Sequence, residues 1–311
     1  MQKNNKARPY LSLHLIILIF GFTGILGRYI DTPPTALTIY RTGLTCVCLG
    51  AFMWLRGMSF RVGWRNVVLL LLSGGVIGIH WVLFFSAIKQ ANVSVTMAML
   101  STRALFASLL EPLFYHRRLR AHEVVFGLIV VAGIFIISGQ NAEYHGGIVT
   151  ALAASFVSAC YSIINSKWFV RFPNDTVMIS FYEMAGAVVV VAALFAPTEG
   201  FVQGLGQVSL KDALGILFLA VVCTSYTNVR MIQLFRYLSP FTVMLNINLE
   251  PVYAMLMAAA LYPDERMSGA FYLGAAIILS VVVLNAWLNN LRERRKAKRL
   301  PTQPQEGHGE G

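Results

Sequence analysis

Four ionisable side chains fall well inside long apolar stretches of this sequence: Arg41, Arg103, Glu183 and Glu250. Glu250 is the most informative. It lies in the run Phe241–Leu261, long enough to cross a bilayer, and a carboxylate at that depth faces a bundle interior or a wet cavity. Pro251 follows it, with no N–H for the carbonyl of Ile247 and a ring that disfavours helical geometry at Glu250, so the backbone is expected to open there. Freed carbonyls at membrane depth are tolerated only against protein or water. Asn246 lies one turn earlier on the same face, within reach of Glu250, and Asn248 adds a second amide. An acid, two amides and an opened helix at one depth read as a binding site.

Arg103 carries a planar guanidinium that can grip a carboxylate through two parallel hydrogen bonds, while Glu250 suits an amino group or a proton. The alternative is an ion pair between Arg103 and Glu250 that locks two parts of the bundle together. The sequence leaves both open. Arg41 and Glu183 lie 142 residues apart, near opposite membrane faces, which suits gating and equally suits a plain structural role. His80 and Trp81 offer a titratable ring and an aromatic wall, against the alternatives of a packing histidine and a lipid-facing indole. Asn228 is a further cavity candidate, and Arg230 is close enough to a boundary to snorkel. Enzyme signatures are missing: the sequence has no His-Glu-x-x-His pair, no Gly-x-Ser-x-Gly elbow and no Gly-rich phosphate loop with its lysine. No catalytic residue and no cofactor are therefore expected. Cys46, Cys48, Cys160 and Cys223 all sit in apolar runs without ligand spacing, so they read as small buried hydrophobes, and no metal is expected.

Composition sets the class. Of 311 residues, 57% are apolar and 13% charged, against roughly 25% charged in soluble domains. The net charge of +11 does not point to nucleic acid, because its distribution follows membrane topology. Apolar runs of spanning length occur at Leu11–Gly27, Ala36–Leu55, Val67–Ile88, Ser94–Phe114, Ala121–Ser138, Gly147–Ser166, Thr176–Ala196, Asp212–Met231, Phe241–Leu261 and Ser268–Leu288. With the N-terminus inside, the inner segments hold eighteen Lys and Arg, and the outer loops hold four, Arg28, Lys89, Lys211 and Arg266. The positive-inside rule then predicts ten transmembrane helices, an all-α polytopic membrane protein with both termini cytoplasmic. The run Arg294-Arg295-Lys296 is expected to anchor a cytoplasmic tail against anionic lipid, and Pro301 onward to be disordered. Gly74 and Gly78 predict close helix packing, and Asn92-Val93-Ser94 matches a glycosylation acceptor in too short a loop.

A shift of 147 residues lays the fourth run on the ninth and the fifth on the tenth, bringing Arg103 onto Glu250 and Gly127 onto Gly274. Each unit holds five helices, an odd number, so the second copy enters the membrane upside down. The units are residues 1–140 and 144–290, with a tail over 291–311. Inverted repeats are common in secondary transporters, which bind substrate at the midplane between the halves.

Ten helices in two inverted units, with Leu249-Glu250-Pro251-Val252 opening the ninth and Gly274 in the tenth, resemble the drug/metabolite transporter superfamily, and more closely its EamA-type branch. The segment His80 to Ile88, followed by Ser94-Val95 and Ser101-Thr102, is similar to EamA-type first halves. The resemblance runs to about Asn290. It implies alternating access in an inner or plasma membrane, and family members move amino acids, metabolites, sugars, nucleotide sugars or drugs, commonly outward. Arg103 with Glu250 suits a zwitterion, so the expected function is export of amino acids or related amphipathic metabolites. The alternative is export of cationic drugs on Glu250 alone. Expected partners are a small-molecule substrate and the bilayer, with proton drive, exchange and passive transport all open, no nucleic acid, and either a monomer or a homodimer.

Overall fold

A computed structural model describes residues 7–115, 121–140, 142–173, 175–198, 200–234, 237–238, 243 and 246–299. Lys3, Lys6, the basic cluster at 117–120, Arg236 and the tail from residue 300 lie outside the described residues. Nine helices among the described residues are long and apolar enough to cross a membrane by length and composition. In chain order, α1 is Ala7–Tyr29, α2 Pro34–Leu55, α3 Trp64–Gln90, α4 Val93–Leu100, α5 Arg103–Tyr115, α6 Ala121–Gln140, α7 His145–Arg171 and α8 Thr176–Phe195. A short α9 (Phe201–Gly206) precedes α10 (Leu210–Phe218), which passes through a π-helical stretch, Leu219–Tyr226, into α11 (Thr227–Leu234). Then come α12 (Glu250–Leu261) and α13 (Gly269–Arg299). The run expected over 241–261 is described only in part, and its described helix, α12, is shorter than a full span. The last helix does not stop at Leu288 as expected but continues through the basic run to Arg299.

Three helix interruptions depart from the even spans that hydropathy predicts, and two of them follow from side-chain hydroxyls. The fourth run breaks into α4 and α5 at Ser101-Thr102. Ser101 Oγ donates to the Ala98 carbonyl at 2.6 Å, and Thr102 Oγ1 to that of Met99 at 2.7 Å. Such back-bonding offers carbonyls an alternative to the helix ladder and bends it. In the π stretch, Thr224 Oγ1 and Ser225 Oγ donate to the Leu219 and Ala220 carbonyls five residues back, each at 2.8 Å, widening the turn. The third break is the turn Asn248-Leu249, after which Glu250 starts α12. Pro251 therefore stands in a first helical turn, where its missing N–H has no carbonyl to serve.

The helices pack closely where side chains vanish. α3 lies along α8 and α7, α2 along α8, α1 along α12, and α6 along α13. A methyl group on Gly74 would stand 2.0 Å from the carbonyl oxygen of Glu183, and one on Gly186 would stand 2.1 Å from that of Leu71. Gly133 and Gly274 make a reciprocal contact between α6 and α13. A Cβ on Gly133 would meet the Gly274 carbonyl and Ile278, and a Cβ on Gly274 would meet the Gly133 carbonyl and Ile137. Gly127, the residue that the 147-residue shift assigned to Gly274, meets nothing within 4 Å.

Loops 30–33, 91–92, 207–209 and 262–268 meet at one end of the bundle. Two buried acids tie them together. Asp212 accepts the amides of Asp31 and Thr32, both at 3.0 Å, and the Thr32 hydroxyl at 2.9 Å. Glu265 accepts the first-turn amides of α4, Val93 and Ser94, both at 2.8 Å, where the helix dipole favours an anion. Arg28 then bridges Glu265 and Asp264, at 2.6 Å each. Asn92 Oδ1 caps α4 by accepting the Val95 amide at 2.8 Å, while its Nδ2, the atom a glycan would need, donates to Met267 Sδ at 3.5 Å in a residue only 5% exposed.

Two predictions follow from this packing. Gly186→Ala should destabilise the protein by roughly 1–3 kcal/mol, because the clash is with backbone, while Gly127→Ala should leave the unfolding midpoint in detergent unchanged or slightly raised. Hydrogen bonding to Arg28 holds the Asp264 carboxyl below its ordinary value of 3.8. A depressed carboxyl contributes stability above the unfolded-state pKa and loses it as pH falls through the folded one. The Asp264 contribution should thus vanish only below about pH 4. Scanning fluorimetry of wild type against Asp264→Asn across the acid range reads it as a midpoint difference that closes below that pH.

Candidate functional site

Three of the four charges expected at membrane depth converge on one cavity of about 330 Å³. Arg41 of α2, Arg103 of α5 and Glu250 of α12 line it, together with His80 and Trp81 of α3 and Asn228 of α11. The helix breaks explain the convergence. The turn at Ser101-Thr102 sets Arg103 at the first position of α5, and the turn at Asn248-Leu249 sets Glu250 at the first position of α12. Their nearest charged atoms, Arg103 Nη2 and Glu250 Oε2, stand 3.7 Å apart. That is an ion pair without hydrogen-bond distance, with side chains 28% and 15% exposed.

Arg41 stands two turns into α2. It is 4% exposed on the cavity wall. Its Nε donates to Thr224 Oγ1 at 3.0 Å, and its guanidinium lies 4.3 Å from the Trp81 ring centre and 5.8 Å from that of Phe85. Trp81 is consequently half-buried against a cation and the cavity. His80 donates its Nδ1–H to the Ala154 carbonyl at 2.9 Å and stacks on Phe84, so its ring is fixed in the wall.

Glu183 and Asn246 do not line this cavity. Glu183 is 1% exposed and sits where α3, α7 and α8 meet. Ser73 Oγ donates to its Oε1 at 2.7 Å, the Tyr161 hydroxyl donates to its Oε2 at 2.9 Å, and Asn165 Nδ2 donates to that hydroxyl at 2.8 Å. Tyr161 and Asn165 do line the cavity, so Glu183 holds the wall from behind. Asn246, half-buried, lies just before the turn, and its carbonyl accepts the Leu249 amide at 2.9 Å. Arg230 bonds Gln233 in its own helix at 2.7 Å.

Sequence reasoning missed the polar face of α7. Ser158, Tyr161, Ser162 and Asn165 all line the cavity, and their i, i+3, i+4, i+7 spacing marks one face of a helix. That stripe was readable. Thr224 was not, because its contact with Arg41 depends on the π stretch.

The EamA-like transporter family model matches residues 8–139 and again 145–287. The chain belongs to the EamA-like transporter family. An uncharacterised transporter of Archaeoglobus fulgidus is 22% identical over 263 residues, 82% of this chain and 89% of the relative. A probable amino-acid metabolite efflux pump of Escherichia coli is 27% identical over 209 residues, 64% of this chain and 68% of the pump. A protein crystal structure superposes with a TM-score of 0.60 at 22% identity, covering 91% of this chain and 99% of the other, which is a likeness of fold. The protein is a multi-pass membrane transporter.

Tyr161→Phe leaves the buried carboxyl of Glu183 short of one donor and should destabilise by roughly 1–3 kcal/mol. Adding Glu183→Gln should recover part of that loss, which a double-mutant cycle of unfolding midpoints measures directly.

Proposed function

We propose that the protein exports amino acids or closely related zwitterionic metabolites across an inner or plasma membrane by alternating access. The observation that carries this reading is the charge of the cavity lining. Two guanidiniums, Arg41 and Arg103, face one carboxylate, Glu250. A cavity with that balance favours a ligand bearing an anionic group and disfavours a simple lipophilic cation. The volume suits a small molecule, and Phe20, Ile77, Phe84 and Met184 supply apolar surface for a side chain. The name of the Escherichia coli relative points the same way on substrate and direction.

Ten crossings in two inverted five-helix halves are the architecture we infer. Three features support it: the two successive matches to one family model; the turns at 101–102 and 248–249, which stand 147 residues apart; and the reciprocal Gly133–Gly274 contact, whose partners lie 141 apart (274 − 133, and 278 − 137 for the isoleucines). The six-residue difference means that the two helix pairs do not share one offset. The Lys and Arg distribution supports cytoplasmic termini. The lining runs from Thr23 and Arg41 toward Asn165, Ser180 and Asn228, away from the loop end sealed by Asp212 and Glu265. On this reading the conformation is the inward-facing one, and the Arg28–Glu265 and Asp212–Thr32 contacts part when the outer side opens.

Counterflow into proteoliposomes, with a pool of labelled amino acids and with and without a pH gradient, tests the reading. Flux of at least one zwitterion is expected, lost in Glu250→Gln. Dependence on the gradient would make Glu250 the proton site. Absence of amino-acid flux, with lipophilic cations raising the unfolding temperature instead, would replace this reading by the cationic-drug one.

A further inference from the structure

The three charges on the cavity wall are not equivalent. Arg103 has Glu250 3.7 Å away. Arg41 has no such partner: among the described residues no carboxylate stands within salt-bridge distance of it. Its Nε is engaged by Thr224 Oγ1 at 3.0 Å, its Nη1 makes no hydrogen bond, and the residue is 4% exposed. The Trp81 and Phe85 rings flank the guanidinium, which steadies it by cation–π attraction and limits its swing. A guanidinium buried at membrane depth needs an anion to offset its lost hydration, and the protein supplies none at contact distance.

We propose that Arg41, and not Arg103, is the carboxylate-binding group of the transport site. Its ligand class is a small molecule with a single carboxylate, held in the direction fixed by Thr224 and Trp81. The amino end of the ligand then faces Glu250, whose charge Arg103 balances. The inference rests on the amino-acid reading above and goes beyond it by assigning the anion site. It also accounts for the π stretch, since the widened turn brings Thr224 onto Nε and so orients the guanidinium's remaining donors. Arg41 is here a binding residue and Thr224 a positioning residue.

The experiment compares the affinities of purified protein in detergent for L-phenylalanine and for L-phenylalaninamide, which keeps the amine and the ring and lacks the carboxylate. Calorimetry or ligand-induced thermal shifts give the acid-to-amide affinity ratio for wild type, Arg41→Lys, Arg41→Gln and Arg103→Gln. Wild type should prefer the acid. The ratio should fall roughly 10- to 100-fold in Arg41→Gln, the range for losing a charge-assisted hydrogen bond, and by less in Arg41→Lys, which keeps the charge without the planar fork. Arg103→Gln should move both affinities together. If the glutamine variant does not fold, a severalfold fall of the ratio in Arg41→Lys carries the same meaning. A ratio unchanged in the Arg41 variants, with acid binding retained, overturns the role of Arg41 and leaves the amino-acid reading standing. A wild type that binds the amide in preference to the acid overturns both.

Discussion

A charge inside a low-dielectric layer must find a partner, a donor shell or water, and this fold is arranged around meeting that requirement at a handful of places. Asp212 and Glu265 meet it with backbone amides at the loop end of the bundle. Glu183 meets it with two hydroxyls from neighbouring helices. Arg103 and Glu250 meet it with each other across the cavity. Arg41 meets it incompletely, with one threonine oxygen and two aromatic faces. The degree of satisfaction follows position in the fold. Acids with full donor shells fix loops and walls, whereas the groups with loose or missing partners surround the cavity.

The helix irregularities serve the same end. A straight helix presents any one side chain at a depth set by its rise of about 1.5 Å per residue, which leaves little freedom to aim several polar groups at one point. The turn at Ser101-Thr102, the π stretch at Leu219–Tyr226 and the turn before Glu250 each re-aim a helix at cavity depth. Serine and threonine hydroxyls satisfy the carbonyls that the first two of these devices release. The small residues do the complementary work. Glycines on α3, α8, α6 and α13 let backbones touch, so that rigid contacts frame a polar interior.

Much of this is legible in the amino-acid sequence. Apolar run lengths locate the spanning helices, and an acid beside a proline locates the break at Glu250. Arg103, Glu250, His80, Trp81 and Asn228 stand out by residue type and depth alone, and they share the cavity. Two kinds of information are not legible. Hydropathy carries depth but not azimuth, so it does not tell that Arg41 faces the cavity while Glu183 lies behind its wall. A single repeat offset carries no local insertions, so it matches Gly127 to Gly274, while the helices cross at Gly133. The polar stripe on α7 is available in its spacing and is obscured by the apolar residues between its members.

The central claim is that Arg103 and Glu250 face each other to handle substrate and not to lock two halves of the bundle. The double substitution Arg103→Gln with Glu250→Gln tests it most directly, because replacing both members of an ion pair by neutral polar groups of similar size spares the fold from an orphaned charge. Counterflow and unfolding temperature are measured on the same preparation. The account predicts an unfolding temperature close to wild type and loss of flux. Flux at wild-type level in a stable double variant would contradict it, since the pair would then be a lock whose charges transport does not use.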